Sequence, residues 1–175
     1  MASAQPQREA GQARARVAFP GSGTASAATG IPVLDHLLGL LARYGSLDLE
    51  LEVAPGGAEA EAAACGRALG EALARALEDK QAPGFGSAHA AADEALAHVV
   101  LEASGRPLVV SNVDLSAARV GGVATDVIAR FLDELAQAAG LTLHVRLIDG
   151  KETEHVLEAI FKALGAAVGR SLPTT

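Results

Sequence analysis

The sequence predicts an α/β (α+β) protein made of two similar halves, and three observations carry that expectation. Strict alternation occurs twice, as Leu47, Leu49, Leu51 and Val53 against Asp48, Glu50 and Glu52, and again as Leu141, Leu143, Val145 and Leu147. Each alternating run is preceded and followed by a stretch of helical period, so that the order helix, strand, helix is repeated. The two copies also superpose. LLGLLA at 37–42 matches FLDELA at 131–136, while Glu59, Ala68-Leu69-Gly70, Arg75 and Leu77 fall on Glu154, Ala163-Leu164-Gly165, Arg170 and Leu172, all 95 positions later. Such register over a whole half is the mark of an internal duplication. Each half is expected to pack its helices on one face of a small sheet. One domain over 1–175 then consists of two repeats, about 11–80 and 87–172.

In chain order, residues 1–10 look like a disordered lead-in. Ala13, Ala15, Val17 and Phe19 alternate with polar or small residues, which predicts an edge strand ended by the turn PGSG at 20–23. Pro32 opens the first helix, whose wide apolar face is Val33, Leu37, Leu38, Leu40 and Leu41, up to Tyr44-Gly45. After the first alternating strand, Pro55-Gly56-Gly57 turns into an Ala-rich helix over 58–77, followed by a connector over 79–86. Residues 95–103 and 107–114 read as two strands around Ser104-Gly105-Arg106-Pro107, a hairpin. Gly121-Gly122 precedes a third helix that Gly140 stops after Ala139. The second alternating strand and Asp149-Gly150 lead into the last helix, 151–172, where Ile160, Phe161, Leu164, Ala167, Val168 and Leu172 face a core.

Composition narrows the function classes. A chain of 175 residues is long enough for a substantial core. Half of it is apolar but only 3% aromatic, without Trp, so the core is expected to be Ala, Leu and Val. A net charge of −7 with no Lys/Arg run argues against nucleic acid and anionic membrane surfaces as partners. The single Cys65 excludes an internal disulfide framework and fits a reducing compartment; mid-helix among alanines, it reads as a small core residue. No apolar run approaches about 18 residues and the N-terminus carries no apolar signal core, so a soluble cytoplasmic protein is expected.

The chemistry-bearing cluster is Glu154, His155 and Glu158 at the start of the last helix. Glu154 and Glu158 share a face one turn apart. They read either as ligands gripping one cation or as an acidic first turn favoured by the helix dipole. The smaller signals have two readings as well. His89 and His98 read as structural residues; Arg119 binds an anion or anchors its loop by a salt bridge; Arg106 binds phosphate or is buried and paired.

Five blocks then point to a family. TGIPVLDHLLGLLARYG (29–45), ADEALAHVVLEASGRP (92–107), RVGG (119–122), LTLHVR (141–146) and EHVLEAIFKAL (154–164) lie in the order found in imidazoleglycerol-phosphate dehydratase, and the chain resembles that family over nearly its whole length. The resemblance implies a tandem repeat of the ribosomal-protein-S5-domain-2 type, and trimers able to assemble into a 24-subunit shell. It implies a lyase of histidine biosynthesis that removes water from imidazoleglycerol phosphate to give imidazoleacetol phosphate. Two manganese ions, held mainly by His and Glu, are implied as cofactors.

Carried over residue by residue, the resemblance is uneven. The family's LDHM histidine is His36, and the last block keeps His155 and Glu158 but has Glu154 for its first histidine. The ligands of the family's DHHTVED block fall on Glu59, Ala60 and Ala63, and the histidine often found before FF falls on Arg130. An early family glutamate falls on Ala10, next to Glu9. Asp93 and Glu94 of the MDE block are kept, which makes Asp93 and Glu158 the catalytic candidates. Arg106 and Lys162 are kept among the phosphate positions, with Arg119 as a further substrate candidate, whereas the Arg before FG is Gly84 and no SxKG tail is expected. Alanine has no donor atom and a guanidinium does not deprotonate, so the second metal site is expected to be empty. The other is expected to bring together His36, Glu59, Glu154 and Glu158, either as a harder site for one Mg, Ca or Mn ion or as neighbouring carboxylates with none.

Three readings of function follow: the family dehydratase with much reduced or lost activity; a non-catalytic relative with an assembly or regulatory role; or a single-metal enzyme acting on another small phosphorylated substrate. A homo-oligomer is expected in each case, a trimer rather than the 24-subunit shell.

Overall fold

The computed structural model describes residues 12–115 and 118–173; the lead-in over 1–10 lies outside them. The first half runs β1 (Ala13–Ala18), β2 (Ala25–Ala28), α1 (Pro32–Gly45), β3 (Asp48–Val53) and α2 (Ala58–Leu77). The second runs β4 (Phe85–Ala92), β5 (Ala95–Glu102), β6 (Leu108–Ser111), β7 (Arg119–Val120), β8 (Val123–Ala124), α3 (Asp126–Ala139), β9 (Thr142–Asp149) and α4 (Thr153–Ser171). The duplication is visible in the strand pairing. The central strand β3 lies antiparallel to β1 and parallel to β2. Its counterpart β9 lies antiparallel to β5 and parallel to β6, with β4 added outside β5.

The alternating runs form these two central strands because one side of each meets helices. Leu49 and Leu51 point inward from β3, Leu143 and Val145 from β9, and all four are buried. The helices stand between the sheets, α1 and α2 against the first and α3 and α4 against the second. They join across the halves in pairs, α1 on α4 and α2 on α3. Phe131 of α3 and Phe161 of α4 meet at the centre, ring centroids 6.0 Å apart, in a core otherwise built of Leu, Ala, Val and Ile. Cys65 is buried there as a small core residue, its thiol pushed up to about 12, chiefly by burial.

Small residues set how closely the paired helices approach. A Cβ on Gly165 would stand 2.2 Å from the Leu41 carbonyl oxygen, and one on Gly66 2.4 Å from that of Phe131, so these crossings admit no side chain.

One expected pairing is different. The strands around Ser104-Gly105-Arg106-Pro107 are β5 and β6, but they do not form a hairpin, because β9 lies between them. The hairpin is β4–β5, closed by Asp93-Glu94 with Ala92 opposite Ala95, and Asp93 at φ 49 makes the turn. Its first strand, FGSAHAAA, lacks the β-branched residues that would announce it, and β2, ASAA, is hidden for the same reason. Packing forms these strands instead: a Cβ on Gly86 would fall on the Ala167 carbonyl, so β4 runs directly over α4.

Candidate functional site

Because α1 pairs with α4 and α2 with α3, the duplication produces two equivalent clefts, each between the start of a long helix and the side of a shorter one. The first cleft holds the charged cluster. Asp35 accepts the Thr29 N–H at 3.1 Å, so the turn before α1 is fastened and His36 is fixed in the exposed first turn. His36 Nε2 lies 3.1 Å from Glu158 Oε1 of α4. His155, one turn earlier on α4, sits between the two carboxylates of the β4–β5 turn, with Nδ1 2.7 Å from Glu94 Oε2 and Nε2 3.3 Å from Asp93 Oδ2.

Glu94 also ties that turn to the helix start, its Oε1 accepting the Glu152 N–H at 2.9 Å and the Lys151 N–H at 3.2 Å. The Glu152 N–H, followed by His155, holds the Glu94 carboxyl down at about 2. The hydrogen bond to Glu94, with the further negative charge of Asp93 and Glu158, raises His155 above its ordinary value. The carboxylates around it therefore favour the imidazolium form of His155. Further along α4, Lys162 donates to the Ala91 carbonyl at 3.1 Å and lies 5.4 Å from the centre of the Tyr44 ring.

The second cleft, of about 490 Å³, is lined by Gly56, Gly57, Glu59, Ala60, Ala63 and Arg130. By the repeat offset, Ala60 stands for His155, Ala63 for Glu158 and Arg130 for His36. No imidazole remains in it. The Arg130 guanidinium pairs with Glu134 at 3.1 Å, one turn on along α3, and Glu134 also meets Arg67 at 3.6 Å. The α2 start is fastened by buried Glu61, whose Oε1 accepts the Gly56 and Gly57 N–H groups at 3.1 and 3.2 Å.

The expected site residues are thus only partly assembled. His36, Glu158, His155 and Asp93 share the first cleft. Glu59 belongs to the second, because α2 packs on α3, and neither Glu59 nor Glu154 joins the His36–Glu158 pair. Among the described residues, no group of three or more His, Cys, Asp or Glu side chains converges to hold an ion. Among the residues that line the second cleft, Glu59 is the one carboxylate donor.

Arg106 is exposed, not buried and paired. Its loop packs on Thr142 at the start of β9, whose length of about 23 Å separates it from the α4 start. Arg119 donates to the Gly122 carbonyl at 3.2 Å, anchoring its own turn through backbone. Residue reasoning overlooked Glu94 as the partner of His155 and Glu61 as a fastener. The signals were an acidic pair at a hairpin tip and an acid four residues after Gly57. His89 and His98, expected as structural residues, stack on the outward face of the second sheet instead of entering the core.

The family profile for imidazoleglycerol-phosphate dehydratase matches residues 29–168. An imidazoleglycerol-phosphate dehydratase of Moorella thermoacetica is 41% identical over 164 residues, spanning 91% of this chain and 83% of that protein. The crystal structure of imidazoleglycerol-phosphate dehydratase from Staphylococcus aureus superposes with a TM-score of 0.84 at 32% identity, covering 93% of this chain and 95% of that one. That of the Pyrococcus furiosus IGPD gives 0.82 at 27% identity, covering 96% and 93%.

Proposed function

The chain belongs to the imidazoleglycerol-phosphate dehydratase family, and on that premise we propose that it carries out the dehydration of imidazoleglycerol phosphate to imidazoleacetol phosphate weakly or not at all. The single observation that carries this reading is the second cleft. Where the first has His36, His155 and Glu158, the second has Arg130, Ala60 and Ala63. A two-metal reaction that lacks one ion loses both a template and charge stabilisation, worth several kcal/mol.

The first cleft supplies what chemistry this reading leaves. His36 and Glu158 are the donors for one divalent ion at most, manganese by family habit; bound there, an ion would polarise substrate oxygen or nitrogen. Asp93, 3.3 Å from His155 Nε2, is the proposed acid–base partner at the cleft mouth. Lys162, with Arg106 supplied from elsewhere in an assembly, is the proposed anchor for a small phosphorylated ligand.

The proposal takes the chain as one domain of two repeats, about 11–80 and 87–172, acting as a homo-oligomer in the cytoplasm. Exposed Phe85, Leu108 and Val110 on the outward face of the second sheet support association, and a trimer needs only such apolar surface. No helix among the described residues is long and apolar enough to cross a membrane.

Turnover of imidazoleglycerol phosphate by the purified chain, with and without manganese, tests the reading against an intact relative. A rate at least about a hundredfold below that relative is expected, the equivalent of roughly 3 kcal/mol at 1.4 kcal/mol per tenfold. A manganese-dependent rate within that factor overturns it.

A further inference from the structure

Glu61, 8% exposed at the start of α2, is the one buried charged side chain among the described residues. In the other half its place, 95 positions later, is held by buried Val156. Burying a carboxylate is costly unless hydrogen bonds satisfy it, so the charge serves a purpose that valine does not. Its Oε1 accepts the N–H groups of Gly56 and Gly57 at 3.1 and 3.2 Å. At the same offset these two are Lys151 and Glu152, whose N–H groups are accepted by Glu94 Oε1 at 3.2 and 2.9 Å. One pair of backbone donors is therefore clamped in each half, by the hairpin tip in one and from within the helix in the other.

The position equivalent to that tip cannot supply the clamp in the first half. Ala13 pairs with Val53 as Ala97 pairs with Leu147, and this offset of 84 puts Ala10 where Glu94 stands. Alanine has no side-chain acceptor. Glu61 Oε2 reaches the opposite way, since a Cβ on Gly30 would stand 2.7 Å from it. Gly30 belongs to the turn that Thr29 Oγ1 closes on Asp35 at 2.5 Å, immediately before His36. Cys65, one turn along α2, lies beside the same group: after burial, the charges of Asp35 and Glu61 push its thiol up.

We propose that Glu61 is a positioning residue for both clefts, a clamp moved from the hairpin tip into α2. Through Gly56 and Gly57 it sets the first turn of α2, which carries Glu59 and Ala60; through Gly30 it sets the turn that leads into His36. With Oε1 engaged by two N–H groups, the carboxylate is not offered to a substrate or an ion and acts through these neighbours. A side chain that merely filled core volume could be replaced by valine with no local effect on either turn.

The test removes the clamp and then returns it from the other side. Glu61→Val copies the second half, Glu61→Gln keeps one acceptor oxygen, and Ala10→Glu is added to Glu61→Val. Nuclear magnetic resonance reads the His36 ring signals and amide exchange at Gly56 and Gly57, with buried Leu69 and Leu73 of α2 as the control for global opening. In Glu61→Val, exchange at Gly56 and Gly57 is expected to rise at least about tenfold relative to Leu69 and Leu73. The His36 signals are expected to shift while those of His89 and His98, on the outward face of the second sheet, stay in place. Glu61→Gln is expected to keep most of the protection, and Ala10→Glu to recover it. Unchanged exchange in Glu61→Val, an increase shared equally by Leu69 and Leu73, an unmoved His36, or no recovery with Ala10→Glu overturns the proposal.

Discussion

His155 is the residue whose state decides what the first cleft contains. Its two nitrogens face Glu94 and Asp93, and Glu94 in turn is tied to the backbone at the start of α4. The linkage has a definite sign on each side. The raised His155 gives stability that is full below its ordinary value of 6.5 and is lost as pH rises through its raised one. The lowered Glu94 gives stability that is full above its ordinary value of 4.5 and is lost as pH falls toward about 2. Thermal melts of the native chain and of Glu94→Gln are therefore expected to differ most between pH 4.5 and 6.5, to converge as pH falls toward about 2, and to narrow without closing as pH rises through the raised His155 value, because the backbone hydrogen bonds to Glu94 remain. Solvent screening at the cleft mouth keeps the difference modest. A gap that widens steadily toward alkaline pH instead would show that His155 is not held as an imidazolium.

Between helices, glycine decides what packs. Gly165 of α4 faces the Leu41 carbonyl of α1 with no room for a Cβ, whereas Gly39 of α1 has nothing within 4 Å of where its Cβ would be. Gly165→Ala is expected to cost about 1–3 kcal/mol, as overpacking does. Gly39→Ala is expected to gain roughly 0.5–1 kcal/mol by restraining the unfolded helix. Denaturant midpoints for the two variants would move in opposite directions; a shift of the same sign for both would mean that the α1–α4 crossing is not the tight one. The same elements show what was legible beforehand. Both central strands and all four helices could be read because period and apolarity agree in them. β2 and β4 could not, since alanine strands are set by what they lie on, Gly86 over α4 for β4, and not by their own preference. For that reason Ala95–Glu102 was given the wrong neighbour, and the hairpin carrying Asp93 and Glu94 went unseen. That His36, His155 and Glu158 would lie together was legible from spacing and resemblance. The separation of Glu59 from them was not, because it depends on which helix packs on which.

Across the whole molecule, the duplication provides an internal control: two clefts of one construction with different contents. The first has an imidazole on its shorter helix, His36, and an imidazole and a carboxylate one turn apart on its longer one, His155 and Glu158. The second has Arg130, Ala60 and Ala63 at the equivalent positions, and both have a glutamate just before them, Glu59 and Glu154. The scaffold is common to both, since each helix pair crosses at glycines and each long helix start is fastened by a glutamate. If the missing donors alone limit the chemistry, Arg130→His, Ala60→His and Ala63→Glu together supply the second cleft with the set already present in the first. Ala60 and Arg130 are exposed, whereas Ala63 is buried at the cleft wall, so Ala63→Glu adds volume there, and Arg130→His also releases Glu134 from one partner. The triple variant is expected to bind one manganese ion more than the native chain, and to raise manganese-dependent turnover of imidazoleglycerol phosphate at least about tenfold, or roughly 1.4 kcal/mol of barrier. Titration of free manganese by electron paramagnetic resonance separates the two effects. Binding without turnover would locate the defect in the placement of substrate, at Arg106 and Lys162. Neither binding nor turnover, in a folded protein, would mean that the second cleft was never an ion site and that the proposed reason for weak activity is wrong.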